Sequence, residues 1–289
     1  MRRNFNSKMK KRVLTSVAII ACALLVVVLS DFIVYPLALA LLAIVAVFEI
    51  LRVIDAHKFL AISIPAYFIS AVFPITAFFV KSDGKLEFLL TLAACIFVYL
   101  VWLMGVGVFS MGKIAFSKVS EALVGVTYVA VSVTSLSLMR YINPDFGVFL
   151  VILVFVISWV TDTAAFAVGS LIGKHKLIPK VSPKKTVEGA IGGVIFSALI
   201  STAYGLLLDL AINNIQVNYL YLLLFGAILS VVSQIGDLIA SLIKREYGVK
   251  DYGRIFPGHG GIMDRFDSVL AVSTILLILT IVFPPFIAV

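Results

Sequence analysis

Asp264 and Asp267 stand three residues apart at the head of an apolar run, so both carboxylates project from one face of a helix start. A third carboxylate, Asp237, lies inside the apolar run before them. Hard oxygen donors of this kind suit Mg2+, which binds through one or two carboxylates and completes its shell with water and phosphate oxygens. The stretch Ser241–Asp267 (SLIKREYGVKDYGRIFPGHGGIMDRFD) adds Lys244, Arg245, Lys250, Arg254 and Arg265, and a Pro-Gly-His-Gly-Gly turn. Gly258, Gly260 and Gly261 in that turn, around His259, would let backbone N–H groups approach a phosphate closely. Such a set serves displacement at phosphorus, with one cation, or two, holding the attacking and leaving oxygens. His57 and His175 lie in other loops, which argues against a zinc site built from several His or Cys.

Further back, Asp162 sits with Ser158, Thr161 and Thr163 in an otherwise apolar run. A carboxylate there costs a few kcal/mol on insertion scales, about 2.5–3.5, and should face the protein interior or a wet cavity. A neutralised packing partner or a helix-pair hydrogen bond is the plain alternative. On a helix Asp237, Ser241 and Lys244 share one face that points toward the charged stretch. The loop Gly173–Gly193 carries Ser182-Pro183-Lys184-Lys185-Thr186-Val187-Glu188-Gly189, which reads as a turn into a helix with Thr186 as its cap. Free N–H groups there, beside Ser182, Lys184 and Lys185, suit a phosphate; ordinary loop charges are the alternative. The P-loop pattern is absent, so that class of hydrolysis is unsupported.

The elements that must position these residues are membrane helices. The chain is 62% hydrophobic and 13% charged, its mean hydropathy is +1.15, and apolar runs of about 20 residues recur along it. They predict nine spans, at about 13–29, 34–53, 60–80, 88–108, 120–139, 146–172, 189–209, 217–243 and 266–288. The fold class expected is an all-α polytopic membrane protein. With the N-terminus inside, 20 of the 23 Lys and Arg fall on the cytoplasmic side, so the N-terminus is expected in and the C-terminus out. The net charge of +8 then follows from topology and an anionic lipid surface, with no nucleic-acid module. The first run, Val13 to Leu29, is read as a retained helix, a cleaved signal being the alternative. Cys22 and Cys95 are expected as small buried hydrophobes. Glu49 and Arg52, with Asp55 and His57 after them, read as an interfacial charge cluster, a functional role being the alternative. The expected organisation is residues 1–140 as N-terminal helices and 141–289 as a catalytic region with cytoplasmic loops 173–189 and 244–265. The segment Gly105 to Lys118 reads as an amphipathic interfacial piece or a loop.

The run of Ser241, Lys244-Arg245, Lys250-Asp251, Gly253, Phe256-Pro257, His259-Gly260-Gly261 and Asp264-Arg265-Phe266-Asp267 is similar to the signature of the phosphatidate cytidylyltransferase (CDP-diacylglycerol synthase) family, without a departure. Asp162 and the Ser182–Gly189 segment also look like that family's middle region. The resemblance covers roughly 158–267; the first 140 residues agree only in being several membrane spans. It implies transfer of CMP from CTP to phosphatidic acid with Mg2+, by an integral protein of the inner membrane whose site faces the cytoplasm. Asp237, Asp264 and Asp267, with Asp162, would hold metal. Lys184, Lys185, Lys244, Arg245 and Arg265 would bind phosphate, helped by Ser182 and Lys250, while His259, Gly260 and Gly261 shape the phosphate loop. The resemblance also implies a homodimer, and acyl tails that stay in the lipid bilayer. The competing reading is an ion-coupled transporter using Asp162 and Asp237. A CDP-alcohol phosphatidyltransferase is disfavoured because its Asp-Gly-x-x-Ala-Arg motif is missing.

Overall fold

A computed structural model describes residues 21–23, 25–80, 84–143, 145–212, 215–256 and 260–288. Among the described residues eight helices are long and apolar enough to cross a membrane, and they correspond to the second through ninth expected spans. The protein is an integral membrane protein built from helices. Most of the first expected span lies outside the described residues; 21–23 and 25–28 are helical. By internal contacts the chain forms two compact units, Met1–Ile142 with Glu246–Phe266, and Asn143–Arg245 with Asp267–Val289.

The first unit contains α1 (Val34–Val53), α2 (Leu60–Thr76), α3 (Lys85–Phe109) and α4 (Phe116–Ile142). Its core is the contact of α1, α2 and α4. Ala43, Ala46, Val47 and Leu51 of α1, and Val126, Val129, Ala130 and Val133 of α4, are fully enclosed. Pro65 and Pro74 lie inside α2. Proline lacks the N–H that closes a helical turn, and in a bilayer the freed carbonyls need protein donors. Trp102 Nε1 of α3 supplies one, donating at 2.8 Å to the Ala61 carbonyl that Pro65 leaves free, and Ser137 Oγ of α4 ties the next turn by donating to the Pro74 carbonyl at 2.7 Å. At the far end, buried Arg140 binds Asp31 and the Ser30 hydroxyl, tying the 30–33 turn to α4. At the other end Asp55 adopts a left-handed backbone just after α1 (φ 56), and the ammonium groups of Lys58 (2.9 Å) and Lys118 (3.3 Å) hold its carboxyl below the usual range. Residues 105–109, read as loop or interface, continue α3 as helix. Cys22 is exposed and Cys95 half-exposed, because these residues face outward rather than into the core.

The second unit contains α5 (Gly147–Ile172), a hairpin of β1 (Lys176–Ile178) and β2 (Ser182–Thr186), α6 (Val187–Ala211), α7 (Tyr219–Glu246) and the body of α8 (Met263–Val282). The short strands β3 (Ile215–Val217) and β4 (Phe286–Ala288) pair antiparallel at its other end. The seam between α5 and α6 is lined with small residues, so the two backbones run close together. A Cβ on Gly189 would stand 2.5 Å from the Ala165 carbonyl oxygen and 3.1 Å from Gly169 Cα. On α7, Gly226 meets the Ser197 carbonyl and Gly236 meets Ala271 and the Asp267 carbonyl, which brings α7 against both α6 and α8. The helix α8 begins at Met263, three residues earlier than expected, so Asp264 and Asp267 both lie within it.

Gly189→Val should therefore force α5 and α6 apart, lowering stability by about 1–3 kcal/mol, the usual cost of overpacking. Gly105→Ala, where a Cβ meets nothing within 4 Å, should be neutral or slightly stabilising, as expected for Gly to Ala in a helix. Thermal unfolding of the two solubilised variants checks the contrast.

Candidate active site

In the second unit the hairpin exists to end at a cap. β1 and β2 pair antiparallel with Lys176 opposite Thr186 and Ile178 opposite Ser182. Thr186 then caps α6, its Oγ1 accepting the Gly189 N–H at 3.1 Å. This is the cap expected from the sequence. It places Lys184 and Lys185 immediately ahead of a helix N-terminus, where uncompensated N–H groups favour negative charge. Arg245 Nε at the end of α7 donates to the Val181 carbonyl at 3.3 Å, securing the hairpin's turn. Glu188 at the start of α6 accepts His175 Nδ1 at 2.6 Å and secures its base.

A pocket of about 260 Å3 opens beside this cap, lined among others by Asp162, Lys184, Lys185, Thr186, Gln234 and Asp237. Lys185 Nζ lies 2.6 Å from Asp237 Oδ2. The two charges meet as a close ion pair, with the ammonium nitrogen itself buried. Asp237 Oδ1 faces Ser241 Oγ at 3.5 Å. On α8 the Asp267 carboxylate is 8% exposed and accepts the Ser268 N–H at 2.8 Å. The Ser268 hydroxyl donates to Asp162 Oδ2 at 3.1 Å, linking α8 to α5. Asp237 and Asp162 are the like charges acting on Asp267, and Lys244 is the cation acting on it.

Three carboxylates from three helices thus act on one another in this unit. Among the described residues no three acidic, His or Cys side chains are close enough to hold an ion unaided. Mg2+ takes one or two carboxylates and keeps positions for water and phosphate, and the donor set here is all hard oxygen.

The rest of the signature folds within the first unit. Asp264 Oδ2 accepts the N–H of Tyr252 at 2.7 Å and of Gly261 at 2.9 Å, closing the loop over the start of α8. Gly260 has φ +88, and a Cβ there would lie 2.6 Å from Asp264 Oδ2, so the turn requires glycine. Lys250, Arg254 and Arg265 are exposed. His259 lies outside the described residues, with Pro257 and Gly258. Tyr247 hydrogen-bonds Glu121 on α4, and burial together with that carboxylate pushes its phenol up. Glu49 and Arg52 are where the sequence reading fell short. Instead of an interfacial charge cluster, Glu49 is a buried carboxylate, 1% exposed, accepting the Met263 N–H at 2.9 Å. Arg52, though exposed, binds the Tyr252 carbonyl. The signal was present: Glu49 is an acidic residue within an apolar helix, the same signal that drew attention to Asp162.

Within the second unit the structure brings together Asp162, Lys184, Lys185, Asp237, Lys244 and Asp267, with Ser182 at the start of β2 and Arg245 at its turn. Lys250, Gly260, Gly261, Asp264 and Arg265 belong to the first unit's loop. Sequence comparison supplies the class. The profile of the Cytidylyltransferase family matches residues 10–283. The chain is 38% identical over 274 residues to a phosphatidate cytidylyltransferase of Staphylococcus epidermidis, covering 94% of this chain and 99% of the relative. It is 32% identical over 281 residues to that of Bacillus subtilis, covering 95% and 98%. The chain belongs to the cytidylyltransferase family.

Lys185, beside Lys184 and the capped N-terminus of α6, predicts a polyphosphate subsite. Inorganic pyrophosphate with Mg2+ should protect the solubilised protein against heat, and Lys185→Met should weaken that binding about tenfold, the scale of one charge-assisted hydrogen bond. Titration of the melting temperature with pyrophosphate measures it; equal protection of both proteins would remove Lys185 from the subsite.

Proposed function

We propose that this chain transfers CMP from CTP to phosphatidic acid, giving CDP-diacylglycerol and pyrophosphate, at the inner membrane with the site open to the cytoplasm. Family membership and the names of its relatives support the activity; the bias of Lys and Arg to one side supports the orientation. The observation that carries the reading is the Lys185 ammonium, set beside Lys184 and the capped N-terminus of α6 in the pocket that also holds Asp162 and Asp237. A volume of about 260 Å3 falls just below the range of drug-sized sites, roughly 300–1,000 Å3, and suits the phosphate end of a nucleotide. A transporter built on Asp162 and Asp237 draws no support from the family or its relatives. A homodimer is supported by the family resemblance.

The reaction joins two polyanions. An oxygen of the lipid phosphate forms a bond to the α-phosphorus of CTP, the bond from that phosphorus to the β-phosphate bridging oxygen breaks, and pyrophosphate leaves with the electron pair. The lipid phosphate is already ionised at neutral pH, so no strong base is required. Lys184 and Lys185 neutralise the leaving phosphates, and the N-terminus of α6 orients them. Lys244 and Arg245, at the end of α7, supply further positive charge, and Asp237, Asp267 and Asp162 would hold Mg2+; for Asp264, Lys250, Arg254 and Arg265 the support is the sequence signature alone. When bound, the metal neutralises charge at the transferring phosphoryl group. Holding the reactants in line supplies much of the rate, as in other phosphoryl transfers.

Purified protein with labelled CTP, phosphatidic acid and Mg2+ should yield lipid-linked CMP and one pyrophosphate per turnover. Folded protein that makes none sinks the reading. Asp267→Asn can still accept the Ser268 N–H but loses its charge, so kcat should fall at least about 100-fold, the scale of one transition-state electrostatic contact, while membrane insertion is retained. A near-normal rate across Mg2+ concentrations would remove Asp267 from the metal site.

A further inference from the structure

The Glu49 carboxylate is the least expected group in the first unit. It lies in α1, a membrane-spanning helix, and its side chain is buried. One oxygen, Oε2, accepts the N–H of Met263, the first residue of α8, at 2.9 Å. The other, Oε1, is buried against the loop, and the backbone N–H of Ile262 also acts on the carboxylate. Gly253 and Gly261, on either side of the signature turn, press on this carboxylate so closely that no Cβ could be placed at either. One helical turn further along α1, Arg52 binds the carbonyl of Tyr252, whose N–H is held by Asp264. Tyr252 itself is fully buried. Two residues of α1 therefore grip the loop at three backbone points: Tyr252, the Gly253–Gly261 contact and Met263.

From this geometry we propose that Glu49 is a positioning residue for the reaction, acting through the signature loop with Arg52 beside it, and that α1 belongs to the catalytic machinery. The inference rests on the transferase reading for its kinetic part only. A carboxylate at this place does two things that a neutral side chain of equal size cannot. It complements the positive end of the α8 dipole at its first N–H, and it fits a gap whose other wall is two Cα atoms without side chains. Together these set where α8 begins, and with it the direction of Asp264 and Arg265. A shift of about 1 Å in such groups is enough to cost a large part of the rate. The glycines of the signature acquire a second purpose on the same grounds. Gly253 and Gly261 make room for Glu49, whatever they do toward phosphate.

The test uses the full chain in lipid nanodiscs, reading amide hydrogen exchange and turnover together. Glu49→Leu should speed exchange in 250–256 and 260–263 at least about tenfold, as local opening does, and leave α5 and α6 unchanged. It should lower kcat about tenfold to a hundredfold with the KM for phosphatidic acid within about twofold, the pattern of lost positioning rather than lost binding. Glu49→Gln keeps an acceptor for Met263 and should recover most of the exchange protection. Wild-type exchange and kcat in Glu49→Leu, or protection lost throughout both units, would overturn the proposal. Should Glu49→Leu fail to accumulate, Gly261→Ala decides. Alone it should loosen the same segment, and combining it with the shorter Glu49→Asp should restore about tenfold of what was lost, as contacting residues couple; additive losses would overturn the proposal. Wild-type protein without turnover would count against the transferase reading, while the exchange results would still decide whether Glu49 holds the loop.

Discussion

A carboxylate inside a membrane helix costs several kcal/mol unless something meets it, and among the described residues Glu49, Asp162, Asp237 and Asp267 are four of these. Each is met by a different group. Asp162 takes a serine hydroxyl, Asp237 a lysine, Asp267 a backbone N–H with Lys244 nearby, and Glu49 the first N–H of α8. Partial pairing of this kind makes the acidic groups tolerable without cancelling them. Apolar residues of similar size would stabilise the helices more simply. The cost is understandable where the carboxylates have work to do on a charged ligand.

The same constraint explains the small residues. For Asp267 to sense Asp237 and Asp162, the helices bearing them must approach closely, and in lipid close approach depends on small side chains at the crossing. Gly236 lets α7 reach the backbone of α8 at Asp267 itself. The Gly169 and Gly189 seam brings α5 alongside the start of α6, so that Asp162 and the Thr186 cap open into one pocket. Substitutions on this seam would therefore act on the site through helix spacing, without touching a charged residue.

Much of this was legible in the sequence, and the exceptions share a cause. Hydropathy averaged over a span finds the spans, because the bilayer imposes length and composition. It places ends poorly: the last span reads from 266 because the residues before it are charged, yet an acidic residue in the first turn is favourable to a helix, and α8 starts at Met263, as the shared face of Asp264 and Asp267 already required. The Thr186 cap and the lysines before it were legible because capping is local. Glu49 was misplaced because its partner is 214 residues away. Its near neighbours Arg52, Asp55 and His57 offered a sufficient local explanation, and nothing local could name Met263 as the group it serves.

The electrostatic balance of the pocket bears on which ligand it can take. Lys184 and Lys185 stand against Asp162 and Asp237, so these four charges cancel formally, and the cap of α6 adds a partial positive end. A bare polyphosphate would meet two carboxylates, and a bare divalent ion would meet two ammonium groups. A cation arriving with phosphates meets neither difficulty: its charge falls to the carboxylates and theirs to the lysines. The Lys185–Asp237 pair is the point where that exchange would occur. Each partner now holds the other at 2.6 Å, and each would gain further partners from such a ligand. Under the proposed reaction, a metal–nucleotide complex rather than either component alone is the species this pocket would take.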